Sequence, residues 1–309
     1  MYRQPIIIDT DPGIDDAVAI AIALFSDKLD VKLITTVAGN VSLDKVTANT
    51  LKLLSFYKKR VPVAKGAAAP LLAEFKDASD VHGPSGLEGF DFPEPDSTLL
   101  IKDHAVEAMR RCITESAEPI TLVPIGPLTN IALLLSMYPE VKKNIKEVVL
   151  MGGSATRGNK GVMSEFNIAT DPEAAKIVFS SGLPIVMAGL DVGWNALVMP
   201  EDTAKLPGLG PVGQMCHDLF KKYRGGTFAT GLKMYDSCAI AYLLAPELFE
   251  TVFTYVDVET KGSMTAGCTL VDLKGYLKKQ PNVTVCMEID KYKFREWFVN
   301  AIASCKIGG

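Results

Sequence analysis

The chain has 309 residues, with 32 basic against 36 acidic side chains and a net charge of −4. Apolar residues make up 48% and charged residues 22%, the balance of a folded globular protein with room for a substantial core. The mild acidity offers no general attraction to nucleic acid or an anionic membrane, so neither is expected as a partner. The longest apolar run, Ala17 to Phe25, falls well short of a bilayer-spanning helix. Ile6-Ile7-Ile8 is too short an apolar stretch for a signal peptide, and a cytoplasmic protein is expected.

β-branched runs alternate with amphipathic stretches along the first half. Ile6-Ile7-Ile8 reads as a strand, Asp15 to Ser26 as a helix, Val31 to Val37 as a strand and Ser42 to Tyr57 as a helix. A short strand at Val61-Pro62-Val63 follows, then a helix from Ile101 to Thr114, a strand from Ile120 to Pro124 and a helix from Leu128 to Ser136. The alternation continues with a strand from Glu147 to Met151, a helix from Pro172 to Ser180 and a strand from Pro184 to Ala188. Uninterrupted apolar strands between helices indicate a parallel sheet covered on both faces. The segment from Val252 to Asp290 reads as β-rich, and a helix from Lys291 to Ala303 follows. The expected fold is a doubly wound α/β domain with a mostly parallel open sheet, spanning residues 1–309 as one unit. Three long connections interrupt the rhythm, at Gly66 to Leu99, Gly152 to Thr170 and Pro207 to Met234. Connections of that length inside one domain are often binding loops.

Six scattered cysteines with no CxxC pair read as reduced, mostly buried thiols. Three histidines, His82, His104 and His217, are too few for a histidine-rich metal site. A metal here would be held by oxygen. The sharpest feature is Ile6-Ile7-Ile8-Asp9-Thr10-Asp11-Pro12-Gly13-Ile14-Asp15-Asp16, four carboxylates in eight residues at the carboxyl end of a buried strand. Open parallel sheets bind ligands at that edge. One aspartate suffices to cap a helix; four repel one another unless a cation lies among them. An all-oxygen cluster suits calcium or magnesium. Asp236 precedes the apolar stretch Cys238 to Leu244 and alone would read as a cap, but beside the first cluster it becomes a candidate ligand. Pro124-Ile125-Gly126-Pro127 is a further strand-to-helix turn whose carbonyls lie at the same edge.

The run Asp9-Thr10-Asp11-Pro12-Gly13-Ile14-Asp15-Asp16 resembles the N-terminal signature of the inosine–uridine preferring nucleoside hydrolases. The resemblance continues through Thr36-Val37-Ala38-Gly39-Asn40, Gly126-Pro127-Leu128-Thr129-Asn130, Met151-Gly152-Gly153 and Glu165-Phe166-Asn167-Ile168. It ends with Asp171-Pro172-Glu173-Ala174-Ala175 and Gly189-Leu190-Asp191, so it spans nearly the whole chain. The pattern is most similar to the bacterial non-specific ribonucleoside hydrolases, which cleave purine and pyrimidine ribosides. The resemblance implies calcium-dependent hydrolysis of an N-glycosidic bond in nucleoside salvage, by a homodimer or homotetramer. By position, Asp11, Asp16, Asp236 and the Ile125 carbonyl match the calcium ligands. Asp11 also matches the base that takes a proton from the attacking water. Asp15, Asn40, Asn159, Glu165 and Asn167 match groups that hold ribose hydroxyls, with Met151 and Phe166 lining the sugar pocket. His82 and Tyr223 match positions near the base.

One position departs from the pattern. Many members of the family carry a histidine immediately before the last metal-binding aspartate, where this chain has Tyr235. That histidine is associated with protonating the leaving base. Tyrosine, with an ordinary pKa near 10, is a weaker acid at neutral pH. Its ring can stack on a base, and a Tyr223–Tyr235–His82 relay is an alternative proton path. Two other readings follow from the same residues. A catalytically silent nucleoside- or ribose-binding homologue would keep the pocket and lose turnover at Tyr235. A haloacid-dehalogenase-like phosphatase would share the Asp-x-Asp after its first strand, but its hydroxyl residue two places on is Gly13 here.

Overall fold

Ile6, Ile7 and Ile8 lie in the middle of β1 (Gln4–Thr10) and are at most 1% exposed in the computed structural model, which describes residues 2–308. Each such isoleucine contributes about 1.5–3 kcal/mol relative to exposure. Alternation along the strand sends Ile6 and Ile8 into one apolar cluster and Ile7 into another, so both faces of the sheet are covered. The other strands of its sheet are β2 (Leu29–Thr36), β3 (Val63–Lys65), β4 (Ile120–Pro124), β5 (Ile145–Met151), β6 (Ile185–Ala188), β7 (Phe249–Thr254) and β8 (Val283–Ile289). Among the described residues they form one eight-stranded sheet in the order β7-β8-β6-β5-β4-β1-β2-β3. All neighbours are parallel except β7 and β8, which pair antiparallel at one edge. The order reverses direction around β1 and β4, and the space above their carboxyl ends is where an open α/β sheet takes its ligand.

The helices around the sheet include α1 (Ile14–Phe25), α2 (Leu43–Tyr57), α3 (Ala105–Glu115), α4 (Thr129–Met137), α5 (Phe166–Thr170), α6 (Pro172–Phe179), α7 (Pro211–Phe220), α8 (Tyr235–Leu244) and α9 (Lys291–Ser304). α1 is buried on all sides from Ile14 to Leu24, which a helix of alanine, valine and isoleucine tolerates. Asp15 and Asp16 in its first turn are therefore carried into the interior. α8 packs against α1 and brings Asp236 to the same place from 220 residues away. No helix among the described residues is long and apolar enough to cross a membrane. All six cysteines are free thiols, five of them buried.

Three sequence readings are corrected. The helix expected from Ile101 begins at Ala105, because Ile101 donates its N–H to the Val63 carbonyl and the His104 imidazole caps the helix by accepting from Val106. The stretch from Pro207 to Met234 contains the ten-residue helix α7, whose Val212, Met215, Cys216 and Leu219 are buried at helical spacing. The connection from Gly152 to Thr170 holds the short helix α5, which Glu165 caps and Phe166 and Asn167 open.

Candidate active site

A cavity of about 490 Å³ opens above the carboxyl ends of β1, β4 and β5, a size suited to a small ligand. The turn Pro12-Gly13 starts α1 so that Asp16 reaches back to the Gly13 N–H at 2.9 Å. Asp16 also accepts from the Thr10 hydroxyl at 2.7 Å and from the Asn40 amide at 3.1 Å. It is thus a helix cap and a fixed part of the site at once. Asp11 leaves β1 beside Gly39 and Gly126, where added Cβ atoms would stand 2.0 Å and 2.5 Å from its carboxylate oxygens. One of these oxygens accepts from the Asn40 N–H at 2.7 Å, while the other, Oδ1, is buried and has no partner.

Carboxylate oxygens of Asp15, Asp16 and Asp236 all lie within 4.8 Å of one another. Burial, then the charges of Asp15, Asp16 and Asp11, pushes Asp236 well above the usual carboxylate range. Asp11 is pushed up for the same reasons, burial first and Asp16 second, and Asp15 rises to about 7. Four buried acids, three of them raised further by their neighbours' charges, form a site short of positive charge. A divalent cation fits it: Asp11 Oδ1 has no protein partner, and the donors are hard oxygens. The geometry puts Asp15 among these oxygens, although the resemblance gives it to the sugar.

Asp9 does not join the cluster. It sits one position before Thr10 on the face of Ile7, where Thr35 and Asn130 hydrogen-bond one oxygen, the latter at 2.8 Å. Asn130 in turn ties Asp9 to the Thr36 carbonyl and the Ala67 N–H, which makes Asp9 a brace between β1 and β2.

The residues that the resemblance gives to the sugar all line this cavity. Glu165 accepts from the N–H groups of Gly153, Asn167 and Ile168 at 2.9–3.1 Å, yet burial still raises it to about 7. The Asn167 amide donates to the carbonyls of Ile125 and Met151, both at 3.1 Å, joining the ends of β4 and β5. Asn159, on an exposed hairpin, accepts from the Phe166 N–H at 2.9 Å. Asp15, Asn40, Ile125 and Met151 complete this wall, with Asp11 and Asp16 directly beneath it.

His82, Tyr223 and Tyr235 also line the cavity, with His82 beside Asp15. The His82 Nδ1 accepts from the Ile14 N–H at 3.2 Å, and burial lowers its pKa to about 4. Its 4.0 Å approach to Asp15 is therefore not an ion pair, and the remaining proton is on Nε2. The His82 and Tyr223 rings are 5.7 Å apart, and the Tyr223 hydroxyl donates to the Lys233 carbonyl at 3.0 Å. Burial, then the Asp15 and Glu165 charges, raises the Tyr235 hydroxyl above the ordinary tyrosine range. Sequence reasoning missed Lys233, Arg224 and Asp80, which also line the cavity. Arg224 donates to the Asp80 carbonyl at 2.7 Å, linking two of the three long connections across the mouth. In the sequence the basic run Lys221-Lys222-Tyr223-Arg224 marks only the Arg224 side of this link.

Residues 6–296 match the profile of the inosine-uridine preferring nucleoside hydrolases. The chain is 54% identical over 301 residues to a protein named non-specific ribonucleoside hydrolase RihC from Klebsiella pneumoniae, covering 97% of this chain and 99% of that protein. It is equally identical over 298 residues to a protein of the same name from Salmonella typhimurium, covering 96% and 97%. A purine-preferring ribonucleoside hydrolase from Gardnerella vaginalis superposes with a TM-score of 0.91 at 29% identity, over 99% of this chain and all of that one. Cavity, acid cluster and matches agree, and the chain belongs to the inosine-uridine preferring nucleoside hydrolase family.

Proposed function

We propose that this enzyme hydrolyses the N-glycosidic bond of ribonucleosides to ribose and a free base, with one calcium ion held by Asp11, Asp16, Asp236 and the Ile125 carbonyl, and that it serves nucleoside salvage. The observation that carries the reading is the partnerless, buried Asp11 Oδ1 among mutually repelling acids at the floor of the cavity. When bound, the cation supplies positive charge that lowers the pKa of a water and attracts ribose hydroxyls.

The protein's own groups do the rest. Asp11, held in place by the Asn40 N–H, takes the proton of the attacking water. Asp15, Asn40 and Asn167 hold the secondary hydroxyls, while Glu165 and Asn159 hold the 5′ end. Buried carboxylates beneath the ring favour the positive charge that develops on ribose as the bond to the base breaks. The base lies against Tyr235 and Tyr223, where the His82 Nε2–H is a free donor. Tyr235 donates a hydrogen bond as a neutral hydroxyl and is a poor source of a full proton. Reducing-sugar release from uridine and inosine, with and without calcium, tests the reading. Binding without release would favour the silent homologue that Tyr235 raises.

A further inference from the structure

Gly193 ends the single helical turn Leu190–Gly193, directly behind Tyr235. Its backbone does not demand glycine, since its φ is not positive. Space does. A Cβ on Gly193 would stand 2.3 Å from Tyr235 Cδ1, 2.9 Å from Cε1 and 3.4 Å from Cγ. These are atoms of a rigid ring, so the overlap is relieved only if the whole ring swings away by about 1 Å. Trp194, the next residue, meets the Tyr235 hydroxyl. Its own indole is covered by the Arg157 guanidinium, 5.4 Å from the ring centre. With Gly193 behind the ring and Trp194 at its tip, the open direction is into the cavity that Tyr235 lines.

We infer that Gly193 is a specificity-determining residue: its missing side chain holds the Tyr235 ring back, and the depth gained admits a two-ring base as well as a one-ring base. The inference rests on the reading that the base occupies the Tyr235 side of the cavity. Gly193 touches no substrate; it acts by positioning Tyr235. A methyl group at 193 would move the ring toward the base and exclude purines before pyrimidines.

The test is the steady-state kinetics of inosine and uridine for the wild type, Gly193→Ala, Tyr235→Ala and the double variant. Gly193→Ala should raise KM for inosine by about 10-fold or more, the scale of one misplaced methyl group, with a much smaller change for uridine and for either kcat. In the Tyr235→Ala background the same substitution should leave the inosine-to-uridine ratio of kcat/KM unchanged, because the ring it displaces is gone. A wild type that cleaves neither nucleoside would sink the substrate reading itself. A wild type that cleaves both, with a ratio unmoved by Gly193→Ala or moved equally in both backgrounds, would overturn the role of Gly193. If Gly193→Ala does not fold, thermal melting of the double variant decides: recovery supports the ring overlap, and continued failure contradicts it.

Discussion

The Asn40 N–H donates to Asp11 Oδ2 at 2.7 Å, which fixes the carboxylate and leaves its buried Oδ1 aimed past Gly126 with no partner. On the proposed reading, Asn40 orients the base of the reaction as well as facing the sugar. Asp11→Ala should abolish turnover, since it removes a cation ligand and the base together. Circular dichroism should show the fold intact, because a repelling charge is also removed.

The raised acids set a pH dependence for the calcium-free protein. Asp15 and Glu165 have folded-state pKa values of about 7, above the unfolded values near 4. The folded form then holds more protons between those limits, so stability is highest below about pH 4 for these groups and falls as pH rises to 7. The melting temperature after chelation should fall from pH 5 to pH 8. Calcium should restore most of the loss at pH 8. A flat profile in the chelated protein would contradict the cluster's electrostatics.

Ribose selectivity follows from groups that depend on hydroxyls. A site whose buried polar groups lose a hydroxyl partner can discriminate by roughly 10⁴–10⁵-fold. 2′-Deoxyuridine should be a very poor substrate beside uridine, and comparable kcat/KM values would remove Asp15 and Asn167 from the sugar site.

Tyr235→His should raise kcat on inosine by about 10²–10⁴-fold, the usual contribution of a matched general acid. An imidazole is smaller than the phenol that the Gly193 niche already admits. A p-nitrophenyl riboside needs little protonation of its leaving group and should respond weakly. Equal rates on inosine would mean that the proton comes from elsewhere.

Asp9→Asn separates the brace from the site. Asp9 hydrogen-bonds Thr35 and Asn130 on the far face of β1, so kcat on uridine should stay within about 3-fold, against a loss of about 10³-fold or more for Asp16→Asn. A loss at Asp9 as large as that at Asp16 would place Asp9 in the cluster after all.

Much of this was legible in the sequence. The isoleucine run and the Asp-Pro-Gly turn mark a buried strand delivering acids to the sheet edge, and strand–helix alternation gives the parallel sheet. What the strand hid was its own period: Asp9 and Asp11 lie two apart, but the chain leaves the β1 ladder at Thr10, and the two acids part ways. The helix Pro211–Phe220 had apolar residues at helical spacing, obscured by the Pro/Gly cluster before it. Gly193 and Trp194 carried no signal, because their meaning depends on Tyr235, some forty residues on, packing against them.

The central claim is that a cation held by Asp11, Asp16 and Asp236 is required for bond cleavage. Its most direct measurement is ribose release from uridine by chelated protein titrated with calcium, with metal content determined in parallel. The account predicts no release after chelation and full recovery at one bound calcium per chain. An undiminished rate in protein shown to be free of metal would contradict it.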